Sequence, residues 1–176
     1  MPLTNRPVYL SNAVNFGTMS LLDGVVQAIM VTNSGPPSSQ AWPANNRALF
    51  YPLIVNEPRI ITAMHVTFGT ATGNFDYGLY DENLNKLFST GSTAMSGSGS
   101  RDIADTLVPR GTVYLALAHS TTGASLSGYG VFAGILASLG VFEMDNALPL
   151  PDVAVPARIS TNPRLYSATI SFRSLV

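Results

Sequence analysis

Two histidines, His65 and His119, are the residues of this chain best suited to proton transfer or metal ligation near neutral pH. Neither has a second histidine or a paired carboxylate at ligand spacing, and both fall in or just after strand-like segments. Each is therefore expected to be a buried or edge histidine satisfied by hydrogen bonds. Asp76, Asp81 and Glu82 flank a hairpin-like segment, and Asp102 and Asp105 precede a proline turn. Loop carboxylates of this kind suit calcium, but an EF-hand needs ligands at alternate positions and a glycine at the sixth, and the spacing here differs. Turn capping and solvation are the expected roles. A glycosidase needs two such groups at fixed separation across a groove, which spacing along the chain does not define. Neither the G-x-S-x-G elbow nor a G-x-G-x-x-G turn between strand and helix occurs. Ser96-Gly97-Ser98-Gly99-Ser100 lacks the lysine of a phosphate loop and reads as a flexible loop. With no cysteine, thiolate catalysis, disulfides and cysteine-bound zinc or iron are excluded. The expectation is a non-enzymatic chain with no catalytic residues, metal or cofactor.

The aromatic residues Trp42, Phe50, Tyr51, Tyr77, Tyr80, Tyr114 and Tyr129 offer a different chemistry. On β-sandwiches, exposed rings stack against the C–H face of a sugar while neighbouring Asn and Asp groups take its hydroxyls. Phe50, Tyr77 and Tyr114 lie in alternating segments and are expected in the core. Trp42 sits in a Pro-flanked loop, where core duty explains it least. Trp42, Tyr80 and Tyr129 are the candidate stacking surface of an alternative reading, a carbohydrate-binding β-sandwich module.

The elements that must position these residues are strands. Arg59 to Phe68 alternates, with Ile60, Met64, Val66 and Phe68 on one face and Ile61, Ala63, His65 and Thr67 on the other. Phe75 to Tyr80 alternates again, Asp81 to Lys86 supplies turn residues, and Leu87 to Thr90 returns, which makes a hairpin. Val108-Pro109-Arg110-Gly111 carries a type I turn signature and feeds Thr112 to Ala118, apolar on both faces and so expected to be a central strand covered on both sides. Short strands without an amphipathic helix between them predict an all-β fold, a single antiparallel β-sandwich of jelly-roll type. Leu21 to Val31 reads equally as a short helix or a strand.

The expected division is an N-terminal arm over 1–45, a sandwich core over 46–142 and a proline-containing C-terminal arm over 143–176. Ser89 to Ser100 is expected to be a mobile or partner-ordered loop. Asn146 to Pro156 carries three prolines among alternating apolar residues, which suits an extended arm laid on a neighbouring chain. Leu148, Leu150, Val153 and Val155 are its candidate assembly contacts.

Composition points the same way. Of the 176 residues, 46% are apolar and only 11% charged, less than half of the roughly 25% usual for globular proteins. So little polar coating implies apolar patches that need partners. Net charge is -1 and neither sign forms a run, so nucleic acid is not an expected ligand. Lys86 is the single lysine among nine basic residues, and the arginine bias suits hydrogen bonding within interfaces. The first 13 residues lack the basic and apolar regions of a signal peptide. The longest apolar stretch, Gly130 to Phe142, is short of the roughly 20 residues that span a bilayer. No membrane insertion is expected.

Asn46 to Pro52, Gly73 to Asp81, Ser89 to Thr93, Val108 to Leu117, Leu139 to Met144 and Leu148 to Pro151 together resemble small virion structural proteins of tailed bacteriophages and prophages. The resemblance spans about Asn46 to Pro151 in consistent order. It implies a jelly-roll-like virion component, a capsid decoration or a head-, neck- or tail-associated subunit assembled in the host cytoplasm. The partners it implies are further copies of the chain, in trimers among other symmetric oligomers, and other virion proteins. It carries over no catalytic residue. Similar phrases occur in β-sandwich modules of secreted bacterial hydrolases, which keeps open the alternative reading, a carbohydrate-binding β-sandwich module of a phage adhesin or secreted enzyme.

Overall fold

The computed structural model describes residues 19–20, 25–27, 38–66, 68–131, 134–166 and 168–174. Among them are sixteen strands and one short helix, so the chain is nearly all β, with several antiparallel sheets. In chain order they are β1 (Met19–Ser20), β2 (Val25–Gln27), β3 (Ser38–Ala41), β4 (Arg47–Val55), β5 (Arg59–Val66), β6 (Phe68–Thr70), β7 (Asn74–Tyr80) and β8 (Lys86–Ser89). There follow β9 (Thr93–Ala94), β10 (Gly99–Val108), β11 (Gly111–His119), β12 (Ser125–Gly130), α1 (Ile135–Ser138), β13 (Phe142–Met144), β14 (Arg158–Ile159), β15 (Arg164–Tyr166) and β16 (Ala168–Ser174). Most of the expected N-terminal arm lies outside the described residues; of the ambiguous Leu21–Val31 run, Val25–Gln27 is strand.

The first and largest sheet runs β14-β13-β4-β11-β7-β8, with β1 parallel on β4 and β9 on β7. The second runs β10-β5-β16-β2, and the third β15-β12-β3 with β6 also on β12. The expected hairpin is present, Gly78 pairing with Ser89 and Leu79 with Phe88. The expected central strand is β11, which pairs along β4 on one edge and β7 on the other. Since alternate residues of a strand face opposite ways, Leu49, Tyr51, Leu53, Leu115, Leu117, Tyr77 and Leu79 join the main core shared with the other sheets. Ala48, Phe50, Ala116, Ala118 and Tyr80 form a second apolar face behind it.

What covers that second face corrects the expected arm. Residues 142–154 fold back over their own sheet, so that Phe142, Ala147, Leu150 and Ala154 are buried against Phe50, Tyr80, Ala116 and Ala118. Polar groups clamp this strap at both ends and the middle. Ala147 N–H donates to Asn46 O at 2.7 Å, Lys86 N–H to Asp152 O at 2.7 Å and Ala154 N–H to Leu84 O at 2.9 Å. The Tyr80 hydroxyl donates to Pro151 O at 2.6 Å and Lys86 Nζ to Leu150 O at 2.9 Å. The prolines make the segment extended and unable to complete a ladder, as expected, yet its apolar residues serve this chain. Gly78 is what lets Leu150 approach: a Cβ there would lie 3.1 Å from Leu150 Cδ1 and 2.6 Å from Phe88 O. Burying a leucine this fully stabilises by about 2 kcal/mol. Further on, β16 pairs along β5 at the centre of the second sheet, so the C-terminal residues also belong to the folded body.

Two other expectations change. The alternation over Arg59 to Phe68 is broken by a β-bulge: Ser171 and Phe172 of β16 are successive, while their partners Ala63 and Ile61 skip Thr62. The extra residue returns Ile61 and Met64 to one face, and both are fully buried. In the Ser89–Ser100 loop, β9 pairs with Asn74 and Phe75, Met95 enters the core, and the Ser98 hydroxyl accepts the Phe68 N–H at 2.7 Å. Its serines and glycines are thus pinned to the folded body through three attachments.

Candidate functional site

Where β4 begins, its core-facing row changes from apolar to charged. Arg47 shares a face with Leu49 and Tyr51; Leu49 lies opposite Glu143 on β13, and Glu143 opposite Arg158 on β14. Side chains opposite one another on adjacent strands meet, which builds a charged row across three strands. Glu143, with 4% of its side chain exposed, receives Arg47 Nη1 at 3.1 Å and Arg158 Nε at 3.0 Å on Oε2, and the Ser160 hydroxyl at 2.7 Å on Oε1. Asp145 receives Arg158 through a two-pronged contact, Nη1 to Oδ2 at 2.7 Å and Nη2 to Oδ1 at 3.0 Å, together with Arg47 Nε at 2.9 Å. Fork-on-carboxylate pairs of this type are the strong, directional ones.

The row forms one wall of an open cleft of about 540 Å³ between the edges of the first and third sheets. Thr161, Asn162 and Arg164 form the facing wall, with Pro43 and Pro163 at its sides. Arg164 Nη1 and the Tyr166 hydroxyl both donate to Ala41 O, at 3.0 and 2.6 Å, which ties that wall to β3. In the core the Tyr51 hydroxyl is fully buried beside the Tyr166 backbone and in electrostatic reach of Tyr166 and Glu143. Burial pushes the Tyr51 phenol well above its ordinary range. The hydrogen bonds from Arg158 and then Arg47 hold the Asp145 carboxyl down at about 2, and Asp145 in turn holds Arg158 above its ordinary value. At neutral pH Asp145 is therefore an ionised acceptor and supplies no proton. Both Glu143 oxygens are already occupied by donors. The arrangement accepts and donates hydrogen bonds from fixed positions.

His119 lies in the main core, in contact with Trp42 at 4.5 Å between ring centroids and with Phe68 at 6.2 Å. Its Nε2 and the Tyr77 hydroxyl share a hydrogen bond at 2.5 Å, while Nδ1 has no partner. Burial pushes its pKa down to about 3, so it is neutral at physiological pH. His65 is half-buried on β5. Asp81 caps its turn, Oδ1 accepting the N–H groups of Asn83 at 2.9 Å and Asn85 at 2.8 Å. Glu82, Asp102 and Asp105 are exposed. Asp76 is not a solvated turn residue: it is buried beneath the strap, and its Oδ2 accepts the Leu150 N–H at 2.9 Å. Among the described residues no group of three or more His, Asp or Glu side chains is placed to hold a metal ion.

The candidate stacking surface does not assemble. Trp42 is 1% exposed, with its indole N–H donating to Arg47 O at 3.1 Å, and its ring packs on Tyr166 and His119. Tyr80 is fully buried under the strap. Neither presents a face to a sugar, because each closes a core that strands alone leave open. Tyr129 is half-buried on β12 opposite Leu165. Phe50 and Tyr77 are in the core as expected, and Tyr114 is half-buried against Phe142. The assembly candidates divide. Leu150 is buried and Leu148 partly buried within this chain's own second core, a correction that follows from the strap. Val153 and Val155 are 55% and 68% exposed, and they are joined by Ile159 at 54%, a residue the sequence did not single out.

The charged row also escaped the sequence reading. Its signal is weak: Glu143 and Asp145 follow the apolar run as F-E-M-D, while Arg47, which binds both, lies 98 positions from Asp145. No known protein family, curated protein or solved structure matches the chain.

Proposed function

We propose that this chain is a non-enzymatic structural component of a tailed-bacteriophage particle, a capsid decoration or a head-, neck- or tail-associated subunit. It acts by packing against further copies of itself and against other virion proteins. The observation that carries the reading is the run from the end of the strap into β14, which turns Val153, Val155 and Ile159 to the surface within seven residues while the strap is clamped from below. Apolar surface so displayed gains about 25 cal/mol for each Å² that a neighbour covers, before the costs of association. Because the strap is already held, little further ordering accompanies that contact. The 11% charge content supports the same reading, as does the ordered set of sequence phrases resembling virion proteins. On this reading the three sheets are layers and flanks of one jelly-roll-like sandwich, the particle is its location, and a symmetric oligomer such as a trimer is its working form.

The test is quantitative mass spectrometry of gradient-purified particles from a lysate in which the chain is expressed. A fixed copy number per particle is expected. Exclusion of the chain from the particle fraction would overturn the proposal.

A further inference from the structure

We infer that the cleft between Arg47–Glu143–Asp145–Arg158 and Thr161–Arg164 is a saccharide-binding site, separate from the apolar strap surface. Its volume, about 540 Å³, is in the range of small-ligand sites. The charges that line it select the ligand. Two of its three guanidinium groups are matched by the two carboxylates at 2.7 to 3.1 Å. A phosphate or other dianion entering the cleft meets those two fixed carboxylates, and a metal cation meets the arginines that hold them. An apolar ligand would cover ions without replacing their water. A hydroxyl group both donates and accepts, so a polyhydroxylated ring satisfies carboxylate oxygens and guanidinium or amide N–H groups together without adding charge.

The rest of the wall fits a sugar ring. Pro43 and Pro163 supply small apolar faces for C–H contact and Thr161 an exposed hydroxyl, while Asn162 is nearly buried with its Nδ2 donating to the Tyr166 hydroxyl at 3.5 Å. The ion pairs fix the planar groups in advance, so binding orders few side chains.

The test is saturation-transfer difference NMR on the full chain with methyl glycosides of glucose, galactose, mannose, rhamnose and N-acetylglucosamine. At least one should receive saturation from the protein. The signal should fall at least fivefold in Thr161→Trp, which fills the cleft from an exposed position, and in Asn162→Ala, with inorganic phosphate failing to compete. The two variants enter through different side chains, so a folding defect in one leaves the other decisive. Transfer to none of the five sugars, transfer unchanged in a folded variant, or displacement by phosphate would overturn the inference.

Discussion

The backbone N–H of Leu150 donates to Oδ2 of Asp76 at 2.9 Å, joining positions 74 residues apart in a contact where Asp76 is 1% and Leu150 2% exposed. A buried carboxylate on a central strand thus fixes the segment that covers the second face of the sheet. Replacing it by alanine leaves a buried N–H without its acceptor, at a cost of about 2 kcal/mol. Asp76→Ala should therefore lower the urea midpoint and raise binding of an apolar dye as Phe50 and Ala116 become accessible; Asp76→Asn, which keeps an acceptor oxygen, should lose less. Dye binding at the wild-type level in a destabilised Asp76→Ala would separate the carboxylate from the strap.

Gly78 tests the same contact by crowding it. A methyl group there meets Phe88 O and Leu150 Cδ1 at distances that require movement, and overpacking of this kind costs about 1–3 kcal/mol. Gly78→Ala is expected to reduce stability by that amount in chemical denaturation. A neutral result would mean that the strap sits further from β7 than described.

In the charged row, Glu143 is buried while Arg47 and Arg158 are 22% and 41% exposed. Removing the carboxylate leaves arginines that water can reach, so the penalty is well below that of a fully enclosed pair and amounts to about 1–2 kcal/mol. Glu143→Ala should show this loss in urea, and Glu143→Gln, which retains acceptor and shape, about half of it. Equal losses in the two would place the effect in charge alone.

Acid should act in two windows. His119 has its pKa depressed by burial to about 3 from 6.5, so between those values the unfolded chain binds the proton and the folded one does not. Stability then falls as pH drops from about 6.5 toward 3. Asp145, held at about 2 from 3.8 by Arg158 and Arg47, contributes stability present above its unfolded value and lost as pH falls toward 2. Urea midpoints followed from pH 7 to 2 should show both slopes, with the upper one missing in His119→Phe. An unchanged upper slope in that variant would assign the first window to another group.

Much of the fold was legible because its signals are local. The hairpin of Phe75–Tyr80 and the doubly apolar β11 follow from alternation and turn residues over a few positions. The strap was legible as an extended, proline-broken segment, but not in its partner: an apolar row states that it must be covered and leaves open by what. The second apolar face of β11, with Ala116 and Ala118, was the clue that this chain needed such a cover for itself. Trp42 misled for a related reason, since its loop position said nothing of Tyr166 and His119, which close around it from distant segments. The charged cleft depends on cross-strand neighbours about a hundred residues apart, and no local pattern announces it.

Assembly through the outward valines at the end of the strap is tested most directly by size-exclusion chromatography with light scattering on the full chain and on Val153→Asp/Val155→Asp. The wild type should elute as a discrete multiple of 18.6 kDa, and the variant, folded by circular dichroism, at the monomer mass. A monodisperse wild-type monomer, or an oligomer that survives both substitutions, would contradict it.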